Sequence, residues 1–549
     1  MAATQQRPAT APVLTAIRPA GDRAILVELS SLDAVLSLQA QLMAHPRPGQ
    51  IDVIAAAGTV LITADSPRTL QELAAHVRGL DLDAPAEADS TLVTIEVVYD
   101  GDDLDEAAAL TGLGREGVVA AHTGQLWTAA FAGFAPGFAY LTGENSTLDV
   151  PRRRSPRTAV PAGAVALGGQ YSAIYPRQSP GGWQLIGRTD AALWDLEREN
   201  PALIRPGDTV RFAAVRAQAT VRRHTETAAS AEAHEEHASA GLAVRKPGLQ
   251  ATIQDLGRPG YAALGVSSSG AMDRGALRRA NRLVGNPEDA AGIETLFGGL
   301  ELEALTDQVL AVTGASAPLE VTSSNDAQTT TAVRHPACDA PFALLAGERL
   351  TVGAPTAGLR CYLAVRGGVA GPAALGSRST DTMSGIGPEP LTAGTILPVH
   401  AAKPGSIVGN PEISPLPDQG HATVLRVVPG PRQHWFNTET LRSFLSQEWT
   451  VTPKSNRIGL RLDGQGLTRS KEGELASEGT VRGAVQVPPE GQPVLFLSDH
   501  PVTGGYPVIA VVVHADLDKA AQLPPGATVR FTAASPADQP ETPKESFHA

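Results

Sequence analysis

Two glycine pairs, each followed by an aromatic ring, stand far apart in the chain. They are Gly181, Gly182 and Trp183 in SPGGWQLIGRT, and Gly504, Gly505 and Tyr506 in VTGGYPVIAVV. Glycine lets a backbone approach a ligand and reach positive φ without strain, while a flat ring supplies a wall. One copy alone reads as a tight turn at a strand end. Two copies with polar neighbours, Arg188 after the first and Asp499 before the second, point to a binding cleft. FAGFAPGFAYL, residues 131 to 141, sets Phe134 and Phe138 around Pro136 and Gly137. Such a turn either presents ring faces at a pocket edge or plugs a core. Next comes PRRRSPRTAVPAG, with Arg152, Arg153, Arg154 and Arg157. Guanidinium forks suit carboxylate or phosphate ligands, and a solvated basic loop is the alternative.

The glycine pairs belong to a longer repeat. VPAGAVALGGQ, PGGWQLIG and RPGDTVRF follow one another in residues 160 to 212, and VRGAVQVPPEGQ, TGGYPVIA and PPGATVRF do so in residues 481 to 531. Three elements in one order at nearly equal spacing indicate two copies of one β-domain. TLVTIEVVYD and TAVPAGAVALGGQ alternate or run apolar like strands, and ALTGLGREGVVAAHTGQ forms short helices. MDRGALRRANRLVGNP is the clearest helix, with Asp273 capping its start and Gly285 and Pro287 ending it.

Composition narrows the function classes. At 549 residues the chain exceeds one hydrophobic core, and its 55 glycines and 43 prolines suit short strands joined by turns. The net charge of −13 disfavours nucleic acid and leaves small solutes or proteins as partners. No basic leader with an apolar core and no long apolar run appears, so the protein reads as cytoplasmic and off the membrane. Only Cys338 and Cys361 are present, and Cys361 in LRCYLAVRGG reads as a small core residue rather than a reactive thiol. No lysine precedes Lys246, and no Gly-Lys-Ser or Gly-Lys-Thr occurs, which excludes a Walker-type loop. No methionine precedes a lysine, so no biotin is expected on this chain. The Ala, Glu and His-rich stretch 217–241 reads as a linker, and His234 and His237 in its HEEH read as solvated rather than metal-binding.

The chain resembles a fusion of the allophanate hydrolase subunit 1 and subunit 2 families, and looks like the B and C subunits of prokaryotic 5-oxoprolinase in one polypeptide. The first half carries this through GDRAILVEL, AAHTGQLWTAAFAGFAPGFAYL, VPRRRSPRTAVPAGAVA and YPRQSPGGWQLIGRT. The second carries it through GLQATIQDLGRPGY, GVSSSGAMDRGALRRANRLVGN, YLAVRGGV, LGSRST, SNRIGLRL and GAVQVPPEGQPVLFLSD. The sequence departs from the family with SGIGPEPL after GSRST, where a Gly-Arg pair is common, and with HPV after Asp499.

The resemblance implies a mainly β protein with some α (α+β): two cyclophilin-like β-barrel halves plus smaller α/β subdomains. The expected units are an N-terminal α/β subdomain over 1–90, a barrel over 91–216, the linker over 217–241, a β-rich domain over 242–416, a second barrel over 417–534 and a disordered tail over 535–549. It implies an ATP-dependent 5-oxoprolinase acting with a separate protein like that enzyme's A subunit, using ATP with Mg²⁺ and able to form homo-oligomers. Kinship with the carboxyltransferase domain of urea amidolyase leaves open a biotin-dependent carboxyl transfer, and relatives that antagonise a sporulation kinase leave open a regulatory binding module.

The site is expected in a cleft between the two halves. His122, with an ordinary pKa near 6.5, is the acid/base candidate or else a buried structural histidine. Asp255, Asp273 and Asp499 are expected to bind Mg²⁺ with ATP or to orient water. Arg157, Arg188, Arg258 and Arg457, with Gln254 beside them, are expected to hold the substrate carboxylate or phosphates. For Arg457 the rival is a salt bridge that fixes its strand. Beyond that Mg²⁺, no protein-bound metal site is expected.

Overall fold

The computed structural model describes residues 13–82, 90–153, 155–216, 238–323, 332–418, 420–471, 473 and 475–535. Arg154, His234, His237 and the tail from 536 onward lie outside the described residues.

The N-terminal sheet is antiparallel, in the order Leu14–Pro19, Ala24–Leu29, Thr59–Ala64, Gln50–Ala55. Helices Leu32–Ala44 and Pro67–Arg78 begin where Ser31 and Ser66 accept from the amides of Ala34 and Thr69. Alternation along the strands sends Ile25, Val27, Val60 and Ile62 into the core shared with those helices. Ala24, Leu26, Ile54 and Leu61 instead pack on Ala262 and Val502 of the second half. The near-continuous apolar runs AILVEL and TVLITA therefore reflect a sheet covered on both faces.

Seven strands form the first barrel: β1 (Leu92–Val97), β2 (Trp127–Ala132), β3 (Ala139–Gly143), β4 (Ala164–Gly168), β5 (Tyr171–Ile174), β6 (Gln184–Arg188) and β7 (Thr209–Ala214). Their order is β6-β4-β5-β3-β2-β7-β1, and a bridge between Val98 and Arg188 brings the two ends together. The second barrel consists of β8 (Thr423–Pro429), β9 (Trp449–Val451), β10 (Gly459–Asp463), β11 (Ala484–Gln486), β12 (Val494–Phe496), β13 (Val508–Val512) and β14 (Thr528–Ala533). It closes in the order β8-β13-β11-β12-β10-β9-β14. Adding seven to each label of the first barrel reproduces the second, so the repeat seen in the sequence is a repeat of topology.

The correspondence extends to side chains. Trp127 on β2 donates its indole N–H to the His122 carbonyl, and Trp449 on β9 donates to that of Phe444. Phe212 on β7 faces His122, as Phe531 on β14 faces Phe444. Each barrel also carries a two-stranded ribbon that ends at the first glycine of its pair: Ser179–Gly181 with Arg157–Val160, and Thr503–Gly504 with Glu478–Gly479. In the first barrel Asp103 holds Arg157 of that ribbon at 2.7 and 2.8 Å, and in the second Arg432 holds Glu478 at the matching place. The ion pair is kept with its charges exchanged.

Between the barrels lie a six-stranded and a five-stranded sheet with one apolar core. Strand Ala238–Pro247 of the larger sheet takes in the last residues of the stretch read as linker. Helix Arg274–Val284 packs on the smaller sheet, Asp273 caps it at 2.7 Å from the Ala276 amide, and Gly285 ends it in the left-handed region. Cys361 is buried in that core, and burial pushes its thiol up to about 12. The mainly β architecture with a barrel in each half stands as expected.

Candidate functional site

A cavity of about 260 Å³ opens where the N-terminal sheet, the middle domain and the second barrel meet. The N-terminal subdomain contributes Ala20 to Ala24, Asp52, Ile54 and Thr63. The middle domain contributes Ser267, Ser268, Arg274 and Arg278, and the second barrel adds Thr480, Arg482, His500, Val502 and His514. Arg274 is the first residue of the helix capped by Asp273. The Arg274 and Gly275 amides donate to the Asp518 carboxylate at 3.0 Å each. Arg482 precedes β11 and donates to the Met272 carbonyl. The His514 amide donates to Asp22 at 3.1 Å, and the Ala262 amide to Asp52 at 3.0 Å, which stitches the N-terminal sheet to the second half.

The lining carries four arginines against Asp22 and Asp52. Burial, then the Arg482 charge, pushes the Arg274 guanidinium down to about 9. Burial lowers Arg482 as well. His514 is pushed down to about 3 by burial and then by the charges of Arg23, Arg482, Arg274 and Arg278. Burial holds His500 at about 4. Near neutrality both imidazoles are uncharged in a field set by arginine.

None of the site residues expected from the sequence lines this cavity. His122 sits in the core of the first barrel. Its Nδ1 lies 2.7 Å from the Tyr99 hydroxyl, its Nε2 lies 2.9 Å from the Ser172 hydroxyl, and burial pushes it down to about 3. It occupies the place that Phe444 takes in the other barrel, so it packs rather than titrates. Asp255 accepts from Ser377, Ser379 and the Gly257 and Arg378 amides. Asp273 is a helix cap that also accepts from Gln522. Asp499 accepts from Arg457, Ser269 and Thr382. The three aspartates do not converge on a cation, and among the described residues no group of three or more His, Cys, Asp or Glu is placed to hold a metal.

The arginines are similarly engaged. Arg157 is held by Asp103, and Arg188 by Asp100 at 3.0 Å on the surface. Arg258 is buried and donates to the carbonyls of Ala374 and Ser379, while Gln254 donates to Thr252 and the Thr380 carbonyl. Arg457 gives Nε and Nη2 to Asp499 at 2.9 Å, Nη1 to Glu294 at 2.5 Å and Nη2 to the Gly270 carbonyl. It is 2 % exposed. The ligand role expected for Arg457 thus gives way to the salt bridge that rivalled it.

The aromatic motif and glycine pairs support the scaffold. Phe138 meets Tyr140, Tyr175 and Trp183 edge-on at 5.3 to 5.9 Å, with Phe134 beside it at 4.9 Å and Pro136 buried. Gly137 has φ +77°, where a Cβ would lie 2.9 Å from the Leu193 carbonyl. The loop reaches the junction, since a Cβ on Gly265, itself at φ +78°, would lie 2.6 Å from the Ala135 carbonyl. Gly181 lies against the Tyr175 ring, Gly182 near Pro156, Gly504 beside Gln486 and Gly505 near the Leu475 carbonyl. Trp183 lies under Arg152, and the exposed Tyr506 under Arg469.

The same segments carry the relationship to known proteins. Residues 264–533 match the family model for the carboxyltransferase domain, subdomain A and B, and residues 15–204 match that for subdomain C and D. Over 297 residues the chain is 38 % identical to the C subunit of 5-oxoprolinase from Escherichia coli (strain K12), spanning 54 % of this chain and 91 % of that protein. The chain belongs to the carboxyltransferase-domain family. It is also 46 % identical over 129 residues to the B subunit of 5-oxoprolinase from Escherichia coli O157:H7, spanning 23 % of this chain and 59 % of that one. The crystal structure of TTHA0988 matches with a TM-score of 0.79 at 34 % identity, over 93 % of this chain and 99 % of that one.

In this carboxyltransferase-family chain four cavity residues directly follow residues that the sequence singles out: Leu256 after Asp255, Pro259 after Arg258, Arg274 after Asp273 and His500 after Asp499. GDRAILVEL holds Asp22 and Arg23; SSSGAMDRGALRR holds Ser267, Ser268, Arg274 and Arg278; His500 directly follows Asp499. The buried aspartates hold the backbone that presents these neighbours. His122→Phe is expected to leave turnover within about twofold while costing about 1 to 3 kcal/mol for the stranded Ser172 hydroxyl. Stopped turnover in a well-folded variant would return His122 to the chemistry.

Proposed function

We propose that this chain supplies the B and C portions of an ATP-dependent 5-oxoprolinase, hydrolysing 5-oxoproline to glutamate together with a separate protein of the A type. One observation carries the reading: the arginine-lined cavity takes its walls from both the segment that matches subdomains C and D and the segment that matches subdomains A and B. Two parts that occur as separately named subunits in relatives are here one polypeptide with a shared site.

A lactam is a poor electrophile because its nitrogen donates into the carbonyl. Phosphorylation of the amide oxygen is what ATP supplies, and it makes the ring carbon open to water. The chain has no Walker lysine motif, and Asp255, Asp273 and Asp499 are held by internal partners, so these residues do not fit an ATP–Mg²⁺ site. Nucleotide handling is assigned to the A-type partner protein. The cavity of about 260 Å³ lies below the roughly 300 to 1,000 Å³ of sites for drug-sized ligands and suits a small acid. Its role is to seat that acid and exclude bulk water. Among the described residues no helix is long and apolar enough to cross a membrane, and we place the assembly in the cytoplasm.

The test is reconstitution. Glutamate release is expected only when this chain, an A-type partner protein, Mg²⁺, ATP and 5-oxoproline are all present. Release by this chain alone, or none from the complete mixture, contradicts the reading.

A further inference from the structure

We infer that the cavity is an oxyanion site in which the guanidinium groups of Arg23, Arg274 and Arg482 clamp the carboxylate or phosphate of the bound molecule. This deepens the reading above and rests on it for the identity of the substrate. Among the described residues, six arginines have a buried Nε without a hydrogen-bond partner, and three of the six, Arg23, Arg274 and Arg482, line this one cavity. Folded proteins rarely leave such donors unmatched, and a planar oxyanion is the partner that guanidinium geometry fits.

The nearby carboxylates accept hydrogen bonds from backbone amides. Asp52 accepts from the Ala262 amide, and burial raises it towards its neutral form. Asp22 accepts from the His514 amide. Asp518 takes the amides that open the helix, and its charge offsets part of the repulsion between Arg274 and Arg482. Arg278, the fourth arginine of the lining, lies 3.6 Å from Glu288. The two neutral histidines add no competing charge, and the residue at 514 feels all four arginines. The clamp draws on the N-terminal sheet, the middle domain and the second barrel, so an anion seated there ties the three together.

Two sources supply this chemistry: the carboxylate of 5-oxoproline, and phosphate left by the activating step. Calorimetry on the chain alone, without partner or nucleotide, separates them by titrating 5-oxoproline and inorganic phosphate in turn. At least one is expected to bind, and competition shows whether both use one seat. Arg482→Gln and Arg23→Gln should each weaken binding about tenfold or more, since either change removes a charge-assisted contact. Arg188→Gln, on the outer surface, should bind like the parent. If Arg482→Gln fails to fold, Arg23→Gln decides. Binding of neither anion, or parental binding by the folded clamp variants, overturns the proposal. Intact binding without turnover in the reconstituted mixture would sink the 5-oxoprolinase reading alone.

Discussion

Arg457→Met is expected to destabilise the chain by about 3 to 5 kcal/mol, the usual consequence of removing one partner from a buried ion pair. Asp499 and Glu294 are 0 % and 4 % exposed, and each would be left facing the lost guanidinium. The pair also joins two units, because Glu294 belongs to the middle domain's five-stranded sheet while Arg457 and Asp499 flank strands of the second barrel. Arg457→Lys keeps the charge but cannot reach Asp499, Glu294 and the Gly270 carbonyl together, so it should melt early as well. Denaturant titration of both variants checks this. A lysine variant as stable as the parent but without turnover would restore the ligand role that the sequence suggested.

The second large effect is acid sensitivity. His122, His500 and His514 are held at about 3, about 4 and about 3, below the ordinary 6.5. Between pH 6.5 and 4 the unfolded chain therefore binds three protons that the folded chain refuses. Stability is fully present above 6.5 and falls by about 1.4 kcal/mol per pH unit for each histidine as pH drops through this window. Asp273 acts in the opposite direction. Burial raises it to about 6, so below that pH the folded state gains the proton first and recovers about 1.4 kcal/mol per unit. For these four groups together the net loss is roughly 3 kcal/mol per pH unit between pH 6 and pH 4. Urea titrations at pH 7 and pH 5 measure it, and His122→Phe should recover about a third of the histidine contribution. Equal stability at the two pH values would mean that these imidazoles are not held neutral.

Local features were legible in the sequence. The helix Arg274–Val284 announces itself because its cap, its apolar spacing and its terminal glycine all lie within one short segment. The duplicated barrel was legible because Gly-Gly-aromatic and Thr-Val-Arg-Phe recur in order. The site was not, for physical reasons. Arg23, Arg274 and Arg482 come from three regions far apart in the chain, and nothing local distinguishes an arginine facing a cavity from one facing solvent. For Arg457 the sequence left a ligand role and a salt bridge both open, because Asp499 and Glu294, which accept from it, lie far from it in the chain. For His122 the sequence left an acid/base role and a buried structural role both open, and the phenylalanine at its place in the second barrel favours the structural one. Asp273 and Asp499 directly precede the cavity residues Arg274 and His500, but their own carboxylates are buried on internal partners.

The central claim is that the cavity lined by Arg23, Arg274 and Arg482 is where 5-oxoproline is processed, and filling it tests that most directly. Ser268 lines the cavity and is only partly buried, so Ser268→Trp places a large ring in the space with little demand on the core. In the reconstituted mixture, with melting behaviour like the parent's, glutamate release should fall by about 100-fold or more, the scale on which displacing a substrate from its productive position acts. Parental release by the folded Ser268→Trp chain would contradict the account and place the chemistry elsewhere in the assembly.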